Sequence, residues 1–400
     1  MTVMARTTTL PDPAAALAAA DALVPGLVRR AVAHDEAGVF PVDDFAKLRA
    51  AGLLGLMVPT RLGGPGASFA DYAAVAMRLA AGNGATALVF NMHASVTGAL
   101  AQTPDEIARA LGVPETYFEM RDRVLRGAAE GALYAVAMSE RGAGSRLSAI
   151  STTYEQVTEG FHIRGDKTFV SGAGFADAYL VAAKRAASDP PAVSHFLVPA
   201  GEGLTVTQTW DSLGMRATGS QDVRLDVVAS PDALIGGLEG LTLLLAQVMP
   251  QWLVASYAAV YVGVAQSAVD AGVAHVTERG LGRLPAVRAR IGRADAAVAA
   301  ARLGVLEAAR RIDSAPGEPD TNTWVYRAKL LAGETAMEVS ASMLEAAGTS
   351  ATRRGHPLER IFRDARCGSL QPATSDVCAD WLGMAALGRD PENDAEVPRW

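Results

Sequence analysis

The spacing of the hydrophobic residues changes twice along the chain, from helical to β-type and back, and this limits the possible folds. From about Asp12 to Ala110, apolar residues recur at helical spacing, interrupted by Gly-Pro-Gly at 64–66. Helical spacing returns at Leu241 and continues almost to the C-terminus. Short β-type segments separated by glycine turns lie in between: Tyr134–Met138, Ala149–Tyr154, Phe161–Gly165, Tyr179–Ala183, Ser194–Pro199 and Asp222–Val228. The pattern predicts an α+β protein in which two helical blocks enclose a β block.

One stretch of the second helical block, residues 240–269, contains no charged residue and is long enough to span a bilayer. Pro250, three glutamines and many small residues favour a different interpretation, a helix packed on all sides within a bundle. We therefore expect no membrane association.

Composition excludes several other classes of function. The net charge of −7 and the even spread of Lys and Arg argue against a nucleic-acid partner. The two cysteines, Cys367 and Cys378, fit neither a disulfide framework nor a zinc site, so no metal is predicted. The N-terminus lacks a continuous apolar run typical of a signal peptide, and a cytoplasmic location is expected.

Two loops carry candidate binding chemistry. Residues 139–146, SERGAGSR, follow a predicted strand; their glycines free backbone N–H groups to approach an anion, and Ser139 and Ser145 offer hydroxyls. In residues 165–172, GDKTFVSG, Phe169 could stack on a planar ring and Ser171 could hydrogen-bond to its edge. Taken alone, the first loop is better explained as a simple hairpin turn, and the second could be a plain β-hairpin.

Together with GMRATGS at 214–220 and Arg363-Asp364-Ala365-Arg366, these loops resemble the acyl-CoA dehydrogenase superfamily over nearly the whole chain. The corresponding family motifs read SEPGAGSD, GxKxWITN and GxRxS. The resemblance implies an N-terminal helical domain (1–130), a middle β-domain (131–238) and a C-terminal four-helix bundle (239–400). It also implies FAD between the β-domain and the bundle, in a homotetramer or homodimer.

The resemblance further implies a set of cofactor-binding residues: Met138, Ser139, Gly144 and Ser145 at the flavin and pyrophosphate, Phe169, Val170 and Ser171 at the ring, and Thr374 and Asp376 near it. Arg279 matches an arginine that reaches FAD in a neighbouring subunit, and Gly348 a glycine turn on the adenosine side. The arginine's motif is shortened here to ERGLG, but FAD is still expected rather than FMN.

The family's catalytic base is missing. In most members a Tyr-Glu-Gly-Thr motif begins eight residues after the arginine of the RDA motif and supplies a glutamate that removes the substrate α-proton. Here Gln371-Pro372-Ala373-Thr374 occupies that place. Other members carry the base on the first bundle helix, yet residues 246–261 contain no carboxylate.

Three explanations are open. Another carboxylate such as Asp376 or Glu345 could act as the base, although a helix cap or a surface charge explains both. The substrate could be acidic enough to need no base. Finally, the flavin could react with oxygen, as in related monooxygenases that also lack the glutamate; His93, in an apolar helix, would then be a catalytic candidate or simply a core histidine.

The leading hypothesis from the sequence is a FAD-dependent oxidoreductase that acts on an acyl thioester of CoA or a carrier protein, with an atypical base. The alternatives are a flavin-dependent monooxygenase and a non-catalytic homologue. An electron-transfer flavoprotein, oxygen or a flavin reductase is the expected redox partner.

Overall fold

The computed structural model describes residues 8–110, 112–188 and 192–396, apart from the side chain of Ile107. The first block contains α1 (Pro13–Ala37), α2 (Val42–Ala50), α3 (Phe69–Gly82), α4 (Gly84–Gln102), α5 (Asp105–Ala110) and α6 (Glu115–Ala129). Local chemistry sets the ends of these helices. Asp12 caps α1 by accepting from the backbone N–H of Ala15, and Ser68 forms a capping box with Asp71 at α3.

The middle block is a seven-stranded sheet made of β1 (Tyr134–Ala137), β2 (Thr153–Val157), β3 (Gly160–Val170), β4 (Ala178–Arg185), β5 (Val193–Pro199), β6 (Leu204–Thr207) and β7 (Gln221–Ala229). The strand order is β1-β4-β2-β3-β7-β6, and β5 pairs with β4. Six of these strands overlap predicted segments. The prediction missed the four-residue β6, and it started β2 too early because residues 147–149 form a 3₁₀ turn.

The C-terminal block contains α7 (Leu241–Val248), α8 (Ala255–Glu278), α9 (Pro285–Ser314), α10 (Pro319–Ala347), α11 (Pro357–Arg366) and α12 (Ser375–Ala386). Helices α8, α9 and α10 pack on one another, and α11 and α12 pack against α10. The α+β prediction is confirmed, whereas the three domain boundaries stay predictions.

The uncharged stretch is interrupted at Pro250, so that α7 and α8 are separate helices. Among the described residues, one helical segment, Pro250–Glu278, is long and apolar enough to cross a membrane. Its most apolar window is 78% buried within the fold. Because α3 and α10 pack against α8, burial inside the protein accounts for its apolar composition.

The Arg363-Asp364 pair joins all three blocks. The guanidinium of Arg363 contacts Asp35 of α1 at 2.5 Å and donates to the carbonyl oxygen of Leu213 at 2.9 Å. The carboxylate of Asp364 accepts from the backbone N–H of Met215 at 2.6 Å. Both side chains are buried, so these contacts stabilise the arrangement of the three blocks.

Candidate functional site

A chamber of about 320 Å³ lies where the three blocks meet. Its walls come from α4, from the region of α5 and α6, from β1, β4 and β5, and from α7 and the start of α8. Most lining side chains are apolar, and they include Leu100, Val113, Leu180, Leu245, Met249 and Trp252. In the described part of the chain, no Asp, Glu, Lys or Arg lines this chamber.

The first predicted loop borders the chamber through Met138, Ser139 and Ser145. Gly142 and Gly144 have positive φ angles of 89° and 61°, and nothing lies within 4 Å of a Cβ built on either. The backbone therefore faces open space at two places where an anionic group of a cofactor needs room.

A buried ion pair holds this loop. Lys167 Nζ donates to the Glu140 carboxylate at 2.7 Å and to the carbonyl oxygen of Met138 at 3.3 Å. Glu140 also accepts hydrogen bonds from Ser151 and from the Thr152 backbone. Burial opposes the charge of Glu140, but the attraction of Lys167 and these hydrogen bonds prevail and lower the pKa of Glu140 to about 2.

Phe169 has the properties expected of a residue that stacks on a planar group. It lines the chamber, its side chain is 60% exposed, and its φ of 57° lies in the left-handed region. Such a backbone costs roughly 1–2 kcal/mol for a residue with a Cβ. The β3–β7 pairing shifts register next to it, between Lys167 and Val170, and its ring meets Trp210 edge-on at 5.9 Å. The fold thus presents an aromatic face to the chamber at an energetic cost.

The next two predicted residues lie behind this surface. Val170 is fully buried, and Ser171 is 7% exposed. The Ser171 hydroxyl shares a hydrogen bond with Ser220 at 2.9 Å, and Ser220 shares one with Thr218 at 2.7 Å. Neither residue is among those that line the chamber, so the Ser171 side chain already has a partner within the β-domain.

Pro372, in the position of the family's glutamate, does line the chamber. Its loop is held by Lys329 of α10, a fully buried lysine. Lys329 Nζ donates to the carbonyl oxygens of Gly368, Gln371 and Ala373 at 2.8, 3.2 and 2.9 Å. Burial lowers the pKa of Lys329 to about 8, which leaves it charged at neutral pH.

The structure does not bring the two candidate carboxylates to the chamber. Asp376 is exposed in the first turn of α12, where Thr374 is the N-cap and accepts from the backbone N–H of Val377 at 3.3 Å. Glu345 forms an ion pair with Arg290 at 2.6 Å near the end of α10. The alternative interpretation was a helix cap or a surface charge: both side chains are exposed, and the cap of α12 is Thr374 and not Asp376.

His93 is likewise placed in the core. Its Nε2 contacts the carbonyl oxygen of Leu54 at 2.7 Å, and its Nδ1 accepts from the backbone N–H of Tyr134 at 3.1 Å. This pairing fixes a neutral tautomer protonated on Nε2, and both nitrogens are occupied. The ring is not among those that line the chamber, and its two contacts fit the core histidine that the sequence left open.

Burial lowers the pKa of His93 to about 4, against the opposing effect of the Leu54 hydrogen bond. The folded state therefore binds this proton less readily than the unfolded chain, and stability decreases as pH falls from about 6.5 towards 4. We expect the wild type to lose about 2 kcal/mol more unfolding free energy between pH 7 and pH 5 than a His93→Gln variant. Urea unfolding at the two pH values measures this difference. Equal pH dependence in both proteins would contradict it.

His195 of β5 is a lining residue that the sequence analysis missed. Its Nε2 is buried and has no hydrogen-bond partner in the described structure. Burial, followed by the charge of Lys167, lowers the pKa of His195 to about 4, so the imidazole is neutral at pH 7. The sequence did not indicate this role. Strand β5 is mostly buried, and its polar and apolar residues do not alternate in a way that would show which face of the strand borders the chamber.

Arg279 and Gly348 lie at the opposite end of the bundle. The start of α8 borders the chamber through Tyr257, whereas Arg279 is the exposed C-cap of that 24-residue helix. At 1.5 Å per residue the two ends are about 36 Å apart. Gly348 ends α10 on the same side as Arg279, since His275 of α8 contacts Ser350 beyond α10. Neither residue can reach the chamber of its own chain.

Comparisons with known proteins agree with the geometry. Family models match the acyl-CoA dehydrogenase N-terminal domain at residues 15–116, the middle domain at 135–228 and the C-terminal domain at 255–374. The L-evernosamine nitrososynthase of Micromonospora sp. is 32% identical over 93% of this chain and 90% of its own length.

Similar solved structures include complexes with a flavin. KijD3 in complex with FMN and a dTDP-linked amino sugar is 28% identical, with a TM-score of 0.82 and 98% of both chains covered. TdsC from Paenibacillus sp. A11-2 with FMN and indole is 25% identical, with a TM-score of 0.80 and 93% and 97% of the two chains covered. A flavin cofactor for this family, as the sequence predicts, is thereby confirmed. From the three domain models and from identity over nearly its full length, this chain belongs to the acyl-CoA dehydrogenase superfamily of flavoproteins.

Proposed function

We propose that this protein is a flavin-dependent monooxygenase with the acyl-CoA dehydrogenase fold. The observation that carries the proposal is the chamber itself, which has Pro372 where a catalytic glutamate would stand and no other carboxylate on its described walls. Removing the α-proton of a thioester requires a positioned base, which contributes about 10²–10⁴-fold to such a reaction. Oxygen insertion does not require that step.

The residues present fit a flavin. Open space beside Gly142 and Gly144 leaves room for the phosphates, and Phe169 presents a strained, exposed ring to the chamber. Met138, Ser139 and Ser145 would border the ring system. These residues would hold a flavin, and the chemistry it would supply when reduced is two electrons to O₂, so that with two protons one oxygen atom would enter the substrate and the other would leave as water.

The protein's own contribution is to bind the substrate and to exclude water. The apolar walls around Leu100 and Trp252 would disfavour water next to a bound substrate, which would limit loss of reducing equivalents to solvent. Relatives support an oxygenation reaction, since a nitrososynthase is named for an oxygenated nitrogen product.

We further propose FAD rather than FMN, held between subunits of a homotetramer or homodimer. Arg279 lies about 33 Å along α8 from Tyr257, the residue of that helix that borders the chamber, and Gly348 is on the same side of the bundle as Arg279. They would serve the adenosine end of a cofactor bound to a neighbouring copy, in keeping with the family resemblance. A separate flavin reductase would supply the electrons.

The test compares two reactions of the purified, flavin-loaded protein. We expect no bleaching of the oxidised flavin band when a panel of acyl-CoAs is mixed anaerobically. We expect substrate-dependent oxygen consumption when a flavin reductase and NADH are supplied. A Pro372→Glu variant tests whether the missing carboxylate is what limits acyl-CoA oxidation: if the variant gains none, the carboxylate is not the limit. Bleaching of the wild-type flavin by an acyl-CoA would contradict the proposal, and a protein that takes up no flavin would contradict every enzymatic interpretation.

A further inference from the structure

The segment that contains α7 closes one side of the chamber. Its lining residues include Gly236, Leu238, Thr242, Leu245 and Met249. Leu245 is also 45% exposed, so the chamber meets solvent beside this segment. Helix α7 has eight residues and packs mainly against β5 and the 3₁₀ turn at Pro250–Trp252. Because so short a helix is not stable by itself, its position depends on how the segment is attached.

The backbone on both sides of α7 is not helical. Gly240, the residue before the helix, has a left-handed φ of 81° and no side-chain cap. A glycine leaves this conformation at little cost, so the chain can change direction there. After α7, Met249 has φ −130° and ψ 64°, and Pro250 cannot continue the helix. The helix can therefore move as a unit between these two points.

A buried chain of hydrogen bonds ties the start of α7 to the sheet. The backbone N–H of Gly240 donates to Ser194 Oγ of β5 at 2.9 Å. The hydroxyl of Tyr154 on β2 donates to the Glu239 carboxylate at 2.7 Å and lies 3.0 Å from Ser194 Oγ. Since the tyrosine has one hydroxyl hydrogen, Ser194 is the donor in that last contact, and all three bonds form together. Arg185 adds a weaker contact, 3.7 Å from the same carboxylate.

The segment is anchored beyond this chain of hydrogen bonds as well. On one side, the backbone N–H of Ile235 donates to the carbonyl oxygen of His195 at 2.8 Å. On the other side, Asn322 Nδ2 of α10 donates to the carbonyl oxygen of Val248 at 3.0 Å. Release of Glu239 and Gly240 would thus free residues 236–247 while both ends stay attached.

We propose that residues 236–247 form a lid over the chamber, and that the hydrogen bonds joining Tyr154 and Ser194 to Glu239 and Gly240 are its latch. With the latch formed, the lid covers the chamber. When the latch breaks, the lid turns about its two anchors and opens a path for a ligand. The inference rests on the proposed function only in what the lid encloses, a reaction at a bound flavin that is shielded from solvent.

Hydrogen–deuterium exchange of the full chain, read by mass spectrometry, tests the lid without flavin or turnover. We expect amides 241–248 to exchange faster than amides 258–268 of α8, which packs against α3, α4, α9 and α10. Tyr154→Phe keeps the buried ring and removes the hydroxyl of the latch. It should speed exchange in α7 about 10-fold, the factor for one hydrogen bond to a charged group, and leave α8 unchanged.

The matched control is Tyr179→Phe. Tyr179 is equally buried in the same sheet, but its hydroxyl accepts from the backbone N–H of Gly174 at 2.9 Å. This variant loses a tyrosine hydroxyl outside the latch, so exchange in α7 should match the wild type.

A second variant acts on the latch through the backbone. Gly240→Ala places a Cβ on a left-handed residue without steric overlap, because the nearest atom, the Cβ of Ala192, is 3.7 Å away. The open lid lets this residue leave the left-handed region, so the variant should favour opening by roughly 5- to 30-fold. It supplies the same exchange measurement if Tyr154→Phe fails to fold.

A thiol on the covered face of α7 measures opening directly. Thr242 lines the chamber and is 4% exposed. In a Thr242→Cys protein, alkylation of the introduced thiol by N-ethylmaleimide should become about 10-fold faster when Tyr154→Phe is added. Cys378 of α12, which is fully buried, is the internal reference, and its alkylation should not change.

Two outcomes would overturn the inference: unchanged exchange of α7 in the latch variants, or equal acceleration at the introduced thiol and at Cys378, which reports global unfolding. Failure of the proposed function is distinct. A lid that responds to the latch, in a protein that consumes no oxygen with a flavin reductase, would contradict the monooxygenase and leave the lid established.

Discussion

Replacing Lys329 with methionine is expected to lower the free energy of unfolding by about 3 kcal/mol, through three backbone carbonyl oxygens left without their shared donor. The three oxygens belong to Gly368, Gln371 and Ala373, and the ammonium group that binds them is fully buried. Each unsatisfied buried acceptor costs about 1–3 kcal/mol, and relief from burying a charge offsets part of the sum. The loss should appear as a lower urea midpoint.

The matched control is Lys47→Met, which alters an exposed lysine of α2 and should change stability by less than about 0.5 kcal/mol. Limited proteolysis adds a local measurement, because the loop around Pro372 should become a preferred cleavage site in the Lys329 variant. Equal stability of the two variants would show that the loop does not depend on the ammonium group.

Some of the site could be predicted because its residues belong to local motifs. Met138, Ser139, Ser145 and Phe169 follow strands and glycine turns, and the structure brings all four to one chamber with Pro372. Turn chemistry and strand ends are encoded within a few residues, so a motif carries its own geometry.

The rest depends on contacts that sequence spacing does not record. His93 was a catalytic candidate because its helix is apolar, but its partners, Leu54 and Tyr134, lie 39 and 41 residues away. The sequence predicts that Ser171 faces the cofactor, yet its hydroxyl shares a hydrogen bond with Ser220, 49 residues further on. His195 went unnoticed because only tertiary packing gives one face of β5 to the chamber.

Each of the two loops of the candidate cofactor site is bound by a buried lysine. The chain has only four lysines, and two of them, Lys167 and Lys329, are fully buried. One holds the loop after β1 and the other the loop around Pro372. A compact ammonium with three donors suits convergent carbonyl oxygens better than a planar guanidinium, which explains lysine at these positions in an arginine-rich chain.

Lys167→Met should therefore produce a still larger loss, of about 3–5 kcal/mol, because it leaves the Glu140 carboxylate buried without a cation. Glu140 is 3% exposed and lies 2.7 Å from Lys167 Nζ. In the wild type, the stabilising contribution of this carboxylate is present above pH 4.5 and is lost as pH falls towards 2, since its folded pKa is lowered to about 2.

In the Lys167→Met variant, the contribution of Glu140 to the pH dependence of stability has the opposite sign. Burial without Lys167 raises the pKa of Glu140, so protonation favours the folded state and the deficit relative to the wild type should shrink between pH 8 and pH 5. The double variant Lys167→Met, Glu140→Gln should be more stable than Lys167→Met alone, because it removes the unpaired charge while Ser151 and Thr152 keep an acceptor. Urea unfolding of the three proteins at both pH values tests the argument. A double variant no more stable than the single one would contradict the argument. The destabilisation would then come from lost packing around Met138 and not from the unpaired carboxylate.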